Sequence, residues 1–271
     1  MDLSDDTLAG MEQVARDAGA LLLRYFRRPL AVSYKGVANL ITEADTASEH
    51  LIRERLAPIV PDAAFLGEES GGELSLSGMS WVVDPLDGTT NFAHGFPWFS
   101  VSIALVEHGV PVRGVVYHPV LDELYAATAE AGAFRNGVPI SVSTTGSLVD
   151  ALLTTGFYYH KGGELARQIA LFERAHQRVQ TIRRPGSAAL DLAYVAAGHF
   201  EAFWEQGLSP WDVAAGYLLV QEAGGRVSDY AGRPVRIGEG ETLASNGYLH
   251  DEMVVLLRGV RGSTSPAAPS L

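Results

Sequence analysis

Hydrophobic residues recur along the chain at two different spacings. Near the N-terminus they fall every three or four positions, which predicts an amphipathic helix over residues 8–26 that packs on a core and stops at Pro29. From residue 100 onwards apolar and small polar residues alternate in short runs separated by Gly or Pro turns. This pattern predicts an antiparallel meander, with runs at residues 101–105, 112–117 and 124–127.

The second half of the chain alternates strand-like and helix-like segments. We predict strands at residues 151–155, 179–182 and 199–204, and helices at residues 164–176, 187–197 and 211–223. This alternation is typical of an α/β layer. The predicted fold is therefore a layered α/β structure with an α+β half over residues 1–145, an α/β half over residues 146–261 and a site between them. The remaining residues 262–271, rich in Ser, Pro and Ala, are predicted to be a disordered tail.

One stretch, residues 81–100, joins an apolar strand to a turn that is rich in carboxylates. It reads W-V-V-D-P-L-D-G-T-T-N-F-A-H-G-F-P-W-F-S. We predict that the W-V-V run forms a buried strand ending at Asp84, and that Pro85 fixes a tight turn flanked by Asp84 and Asp87. The Leu86 carbonyl can then point the same way. These oxygen ligands would suit a hard cation, Mg²⁺ or Mn²⁺.

Gly88 and Thr89 are predicted to begin a helix directly after this turn. Because unpaired N–H groups in the first turn of a helix bind anions, a cation site beside them indicates a phosphate ligand. An Asp-rich surface turn is the alternative that composition alone favours. The four aromatic residues that follow argue against this alternative, because they indicate a buried setting. Burying carboxylates there without a cation would cost free energy of folding.

Three further acidic positions have both a structural and a chemical interpretation. Asp45 lies three residues after Thr42, so the pair fits a helix capping box. Glu68 follows a short apolar run and a glycine, where Glu68 and Glu69 form either a solvated acidic loop or a converging pair. Asp212 opens a predicted helix, where an acid in the first turn is favourable through the helix dipole alone.

Composition and charge narrow the classes of function. The formal net charge of −12 argues against direct binding of nucleic acid, which normally requires a basic patch. Bound divalent cations would reverse the local sign, so that an anionic ester could still approach. The absence of cysteine excludes disulfides and thiolate metal sites. No signal-peptide or membrane-spanning pattern occurs, so the expected location is the cytoplasm.

Three motifs together resemble the signatures of the inositol monophosphatase family. They are W-V-V-D-P-L-D-G-T-T-N-F at residues 81–92, G-E-E-S at 67–70, and W-D-V-A-A-G at 211–216 with E-A-G-G at 222–225. The motifs stand in the order of the family, and the similarity covers nearly the whole chain. The resemblance implies a five-layer αβαβα sandwich of the sugar-phosphatase type, a homodimer, and Mg²⁺-dependent, lithium-sensitive hydrolysis of a small phosphate monoester.

The resemblance also implies roles for individual residues. It implies that two Mg²⁺ ions, with a third weaker one or with Mn²⁺ instead, are held by Glu68, Asp84, the Leu86 carbonyl, Asp87 and Asp212. It implies catalytic roles, in activating and orienting the attacking water, for Glu68, Thr89 and Asp45. It implies contacts with the substrate for Gly88, Thr89, Asp87, Ala188 and Glu205.

Two local features, interpreted through the resemblance, discriminate among substrates. Thr90 and Asn91 stand where relatives that act on phosphoadenosine nucleotides tend to have Lys-Glu, and a Gly-Ser-Ala-Ala run with Glu205 is usually missing from relatives that act on histidinol phosphate. Both features favour inositol 1-phosphate. Fructose 1,6-bisphosphate, histidinol phosphate and a scaffold role in a transcription complex are the alternatives. Phe157 is a departure, because some relatives carry a serine there.

Overall fold

The computed structural model describes residues 5–28, 32–34, 40–157 and 163–258. These segments contain seven α helices, which are α1 (Asp5–Tyr25), α2 (Glu43–Leu56), α3 (Thr89–Ala93), α4 (Gly163–His176), α5 (Ala188–Ala196), α6 (Pro210–Glu222) and α7 (His250–Leu257). None of the helices in the described segments is both long and apolar enough to cross a membrane. The predicted tail at residues 262–271 lies outside the described residues, and the division into two halves stays a prediction.

The larger sheet has seven strands that lie side by side in the order of the chain. The strands are β3 (Ala64–Gly67), β4 (Met79–Asp87), β5 (Ser100–Glu107), β6 (Val110–His118), β7 (Glu123–Thr128), β8 (Gly132–Arg135) and β9 (Val138–Pro139). β3 is parallel to β4, and the strands from β4 to β9 pair antiparallel, which confirms the predicted meander. A separate antiparallel pair joins β1 (Val32–Tyr34) to β2 (Leu40–Thr42).

The predicted end of the central strand at Asp84 is wrong. Strand β4 continues to Asp87, and its register against β5 shifts between Asp84, which pairs with Ser102, and Asp87, which pairs with Ser100. The reason is that Pro85 has no N–H for the ladder, so the strand bulges and then resumes its pairing. Both carboxylates are therefore held by the sheet instead of by a free turn.

The smaller sheet has five strands in the order β11-β10-β12-β14-β13. The strands are β10 (Leu152–Thr155), β11 (Thr181–Arg183), β12 (Ala202–Gln206), β13 (Arg226–Ser228) and β14 (Glu241–Ser245). The predicted alternation of strands and helices is confirmed from β10 to α6, with parallel pairing of β10 to both β11 and β12. Sequence reasoning missed β13, β14 and α7, and the two missed strands pair antiparallel.

Five layers follow from the packing of the helices on the two sheets. Helices α1 and α2 cover one face of the larger sheet, α5 and α6 lie between the sheets, and α4 and α7 lie against the far side of the smaller sheet. Val82 and Val83 are adjacent in β4 and face the two different cores, which explains why this strand is apolar at successive positions. The expected αβαβα arrangement is confirmed.

The layer between the sheets consists of closely packed helices. In α5 eight of nine residues are buried, as expected for a helix enclosed on every side. A side chain at Gly216 of α6 would place its Cβ 2.5 Å from Leu192 of α5, so this glycine of the W-D-V-A-A-G motif allows the two helices to approach. This packing brings the beginnings of α5 and α6 to the edge of the larger sheet where β4 ends.

Candidate active site

A cavity of about 340 Å³ lies where β4 ends and where α3, α5 and α6 begin. Nine of the ten residues singled out from the sequence line it, namely Glu68, Asp84, Leu86, Asp87, Gly88, Thr89, Ala188, Glu205 and Asp212. The tenth, Asp45, is completely buried and reaches the cavity wall through Thr89. Residues of all three sequence motifs therefore line one cavity, and the outermost of them, Glu68 and Asp212, are 144 positions apart along the chain.

Three aspartates line the cavity, Asp84 and Asp87 from β4 and Asp212 from α6, and each is anchored through one carboxylate oxygen. Asp84 Oδ1 accepts the N–H of Leu86 at 3.0 Å across the bulge of β4. Asp212 Oδ2 accepts the N–H of Ser209 at 2.7 Å, in a capping box at the start of α6. The structural interpretation of Asp212 as a first-turn acid is thus correct, and it is compatible with a second function for the same side chain.

Asp87 is tied to the beginning of α5. Its Oδ2 accepts hydrogen bonds from the Ser187 hydroxyl at 2.5 Å and from the Ala189 N–H at 2.8 Å. Unpaired N–H groups at a helix start stabilise an anion, so α5 holds this carboxylate in place. The contact between Ser187 and Asp87 was not predicted, although a serine at the first position of the predicted helix 187–197 was a visible signal.

The acidic groups of the cavity oppose one another's ionisation. Burial raises the pKa of Asp84 well above its ordinary value, and three neighbouring carboxylates raise it further. Burial and the charges of Asp87 and Glu68 do the same to the pKa of Asp212. For Asp87, burial raises the pKa while the hydrogen bond from Ser187 lowers it. A cation between these groups would remove the repulsion and favour their charged forms.

The donor set fits a hard divalent cation. Glu68, Asp84, Asp87 and Asp212 supply carboxylate oxygens and Leu86 a carbonyl oxygen, which is the ligand type that Mg²⁺ prefers. Within the described segments, no three acidic or histidine side chains are gathered closely enough to hold a metal ion as they stand.

Thr89 connects the cavity to helix α2. Its hydroxyl lies 2.9 Å from Asp45 Oδ1 and 3.0 Å from the Leu86 carbonyl oxygen. Asp45 Oδ2 accepts the N–H of Thr42 at 2.8 Å, which confirms the predicted capping box. Gly88 has φ 91°, and a Cβ there would lie 2.9 Å from the Trp98 carbonyl oxygen, so the turn before Thr89 requires glycine.

A second group of residues lines the cavity away from the aspartates. Glu205 packs against Gly156, where a Cβ would meet its Oε2 at 1.9 Å. Burial raises the pKa of Glu205 to about 8, with a further rise from Asp87 and an opposing effect of Arg184. The Arg184 guanidinium lies 5.0 Å from the centre of the Phe157 ring, so the departure at Phe157 gives this cation a stacking partner.

Asn91 joins two loops of the cavity wall. Its side-chain amide donates to the Trp98 carbonyl at 2.8 Å and to the Pro185 carbonyl at 2.9 Å. The second bond spans 94 positions of the chain and fixes the loop before α5 against helix α3, to which Asn91 belongs. This bridging role of Asn91 was not predicted from the sequence, in which Asn91 only discriminates among substrates.

Comparison with known proteins identifies the family to which this chain belongs. The model of the inositol monophosphatase family matches residues 3–260. The chain belongs to the inositol monophosphatase family. It is accordingly a phosphoric monoester hydrolase, which confirms the enzyme class that the sequence motifs implied.

Alignments with similar relatives extend over most of this inositol monophosphatase family member. It is 44% identical over 239 residues to the inositol-1-monophosphatase of Synechocystis sp., which covers 87% of this chain and 83% of the relative. It is 45% identical over 242 residues to the Nus factor SuhB of Pseudomonas aeruginosa, with 86% and 89% covered. The solved structure of the extragenic suppressor protein SuhB from Bartonella henselae superimposes with a TM-score of 0.89 at 40% identity, covering 94% of this chain and 99% of that one.

Proposed function

We propose that this chain is a Mg²⁺-dependent phosphatase that hydrolyses inositol 1-phosphate to myo-inositol and phosphate. The single observation that carries the proposal is the meeting of four acidic side chains and a backbone carbonyl in one cavity beside the start of α3. Family membership supports the reaction class, and the similarity to an inositol-1-monophosphatase supports the substrate.

The proposed metal ligands are the cavity oxygens described above. Glu68, Asp84 and the Leu86 carbonyl would hold one Mg²⁺, and Asp84, Asp87 and Asp212 would hold a second, with Mn²⁺ as an alternative. When bound, these cations lower the pKa of water and offset the charge that develops on the phosphoryl group. The raised pKa values of Asp84 and Asp212 support this assignment, because buried acids that repel one another gain most from a cation.

Thr89 and Asp45 are proposed to orient the attacking water. The Thr89 hydroxyl donates toward the fixed Asp45 carboxylate at 2.9 Å, which leaves lone pairs of Thr89 Oγ1 to accept a hydrogen bond from water. The hydrogen bonds from Thr42 fix the Asp45 carboxylate in its turn. The N–H groups of Gly88 and Thr89 are proposed to bind phosphate oxygens and to support the charge of the transition state.

Glu205 and the backbone at Ala188 are proposed to bind the hydroxyl groups of the substrate. With a pKa of about 8, Glu205 carries a proton at neutral pH. A protonated carboxyl group can donate one hydrogen bond and accept others, as a polyol requires, and it does not repel an anionic ester. This chemistry favours inositol 1-phosphate over esters with an apolar or cationic alcohol part.

The test is phosphate release from a panel of esters, with Mg²⁺ or with a chelator. The panel contains inositol 1-phosphate, histidinol phosphate, fructose 1,6-bisphosphate and phosphoadenosine phosphate. We expect the largest kcat/KM for inositol 1-phosphate and no release with chelator. A strong preference for another ester would overturn the substrate, and no Mg²⁺-dependent release from any ester would overturn the enzyme mechanism.

A sugar bisphosphate is the second candidate substrate, and Arg184 is the observation that favours it. Among the described residues that line the cavity, Arg184 is the only cation, and its side chain is exposed at the mouth beside Phe157. A guanidinium at this place can bind a second phosphate. If fructose 1,6-bisphosphate is a substrate, Arg184→Gln should raise its KM about tenfold while the KM for inositol 1-phosphate changes less than about threefold.

A scaffold role is the candidate from another class, because two relatives are named Nus factors. Asp84→Asn separates the two roles: loss of the biological function in cells supports catalysis, and retention supports scaffolding. A homodimer is proposed from the family resemblance, and the cytoplasmic location expected from the sequence is also a proposal. Light scattering and cell fractionation measure these two properties directly.

A further inference from the structure

Helix α2 buries a polar stripe on the face that it turns toward the site. The stripe consists of Asp45, Ser48 and Glu49, which are 0%, 0% and 5% exposed. Their spacing of three and four residues places them on one side of the helix. A buried acid is expensive unless it is paired or hydrogen-bonded, so the partners of this stripe indicate what it does.

Each member of the stripe binds a different segment that carries residues of the cavity wall. Asp45 binds the Thr89 hydroxyl, and the Ser48 hydroxyl donates to the Pro85 carbonyl at 2.9 Å. Glu49 Oε2 accepts the N–H of Glu69 at 2.9 Å, and Glu49 Oε1 accepts the N–H of Ser70 at 2.8 Å. The third contact uses both oxygens of one carboxylate on two successive N–H groups.

The turn that Glu49 binds through these two hydrogen bonds is the G-E-E-S motif at residues 67–70. Gly67 and Gly71 close this turn by two reciprocal backbone hydrogen bonds of 3.0 Å, and the Glu68 N–H donates to the Val83 carbonyl at 3.2 Å. A Cβ at Gly67 would lie 2.4 Å from Glu49 Oε2. The motif thus provides glycine to make room for the Glu49 carboxylate and two N–H groups to bind it, while Glu68 lines the cavity.

We propose that Glu49 is a positioning residue that fixes the turn carrying Glu68 and thereby sets the affinity of the site for its divalent cation. The inference rests on the proposed function, because Glu68 is a metal ligand only there. Glu49 lines no part of the cavity wall described above, so it acts through the backbone of Glu69 and Ser70. Outer partners of metal ligands typically change metal affinity by about 10–100-fold when they are replaced.

The test measures binding of Mn²⁺ to the whole protein by electron paramagnetic resonance, together with the Mg²⁺ concentration that gives half-maximal activity. Glu49→Gln keeps the volume of the side chain but turns one acceptor into a donor that faces a backbone N–H. We expect the Kd for Mn²⁺ and the half-maximal Mg²⁺ concentration to rise at least about tenfold, with kcat at saturating Mg²⁺ within about threefold of wild type. Glu54→Gln is the matched control, because Glu54 is exposed on the same helix, and it should leave both quantities unchanged.

A second variant tests the same proposal in case Glu49→Gln does not fold. Gly67→Ala retains the Glu49 charge but forces its carboxylate away from the turn, and the φ of Gly67 is not in the left-handed region. It should weaken Mn²⁺ binding in the same direction. Thermal unfolding without metal reports the structural contribution alone.

Either variant with a lowered Tm but an unchanged Kd for Mn²⁺ would overturn the positioning role and leave Glu49 as a stabilising group. A lowered kcat with unchanged metal dependence would also overturn it. Absence of ester hydrolysis by the wild-type protein is a different result, because it contradicts the proposed function while the Mn²⁺ affinities still test Glu49. A wild-type protein that binds no Mn²⁺ contradicts both.

Discussion

Replacing Asp84 with Asn should stabilise the metal-free protein and abolish its response to Mg²⁺. Asp84 is 1% exposed and lies among carboxylates that raise its pKa. Each unit of that rise costs about 1.4 kcal/mol of unfolding free energy once the group is ionised. An amide keeps the volume and can still accept the Leu86 N–H through Oδ1. We therefore expect a gain of about 1–4 kcal/mol, the order of magnitude seen when buried ion pairs are replaced by neutral residues of similar volume.

The dependence on pH has a definite sign. Because the folded-state pKa of Asp84 is raised, the folded protein holds this proton more tightly than the unfolded chain does. The stability that the proton contributes is present in acid and is lost as the pH rises through the folded-state pKa. The advantage of Asp84→Asn should thus be larger at neutral pH than in acid.

The assay is thermal unfolding in chelator and in Mg²⁺. In chelator, Asp84→Asn should unfold at a Tm higher by about 2–4 °C for each kcal/mol gained. In Mg²⁺, the wild type should gain about 2.7 kcal/mol at a concentration of 100 Kd, whereas the variant should gain nothing. Asp62→Asn changes an exposed acid and is the control. A less stable Asp84→Asn protein in chelator, or one that Mg²⁺ still stabilises, would refute the reasoning.

Three other predictions concern residues around the same cavity. Thr89→Ala should lower kcat by about 10²–10⁴-fold with little change in KM, because the proposed link between water and Asp45 is lost. Thr89→Ser keeps the hydroxyl and should retain activity. Steady-state assays that give the Ala and Ser variants equal rates would contradict this role of Thr89. Ser187→Ala removes a hydrogen bond of 2.5 Å to Asp87 and should weaken Mn²⁺ binding about tenfold, and calorimetric titration giving an unchanged Kd would count against it. The KM for inositol 1-phosphate should rise above about pH 8 as Glu205 loses its proton, and Glu205→Gln should flatten that profile; a rise that persists in the variant would assign the titration elsewhere.

The meander was predictable because its strands are short apolar runs, alternating with small polar residues in β5, that are separated by Gly or Pro turns. Strands β5 and β6 are joined by His108 and Gly109, which both have positive φ values, 50° and 81°, as a tight hairpin turn requires. The strands β13 and β14 could not be predicted in the same way. β13 has only three residues, and the run E-T-L-A-S of β14 gains its strand identity from pairing with β12.

The site residues that were found from the sequence lie in local motifs, and those that were missed act across the chain. Asp84 and Asp87 could be identified because they stand three positions apart, on either side of Pro85 and Leu86. Glu49 and Ser48, in contrast, meet partners 20 to 37 positions away, and nothing in the local pattern of α2 distinguishes Glu49 from an exposed helical acid. Such contacts depend on the tertiary structure, so periodicity and spacing cannot predict them.

The most direct test of the central claim is phosphate release from inositol 1-phosphate by the wild type and by Asp84→Asn, each with Mg²⁺ and with chelator. We expect release only by the wild type with Mg²⁺. Release that continues in chelator, or that Asp84→Asn supports at the wild-type rate, would contradict a mechanism that depends on a divalent cation held by the carboxylates of this cavity.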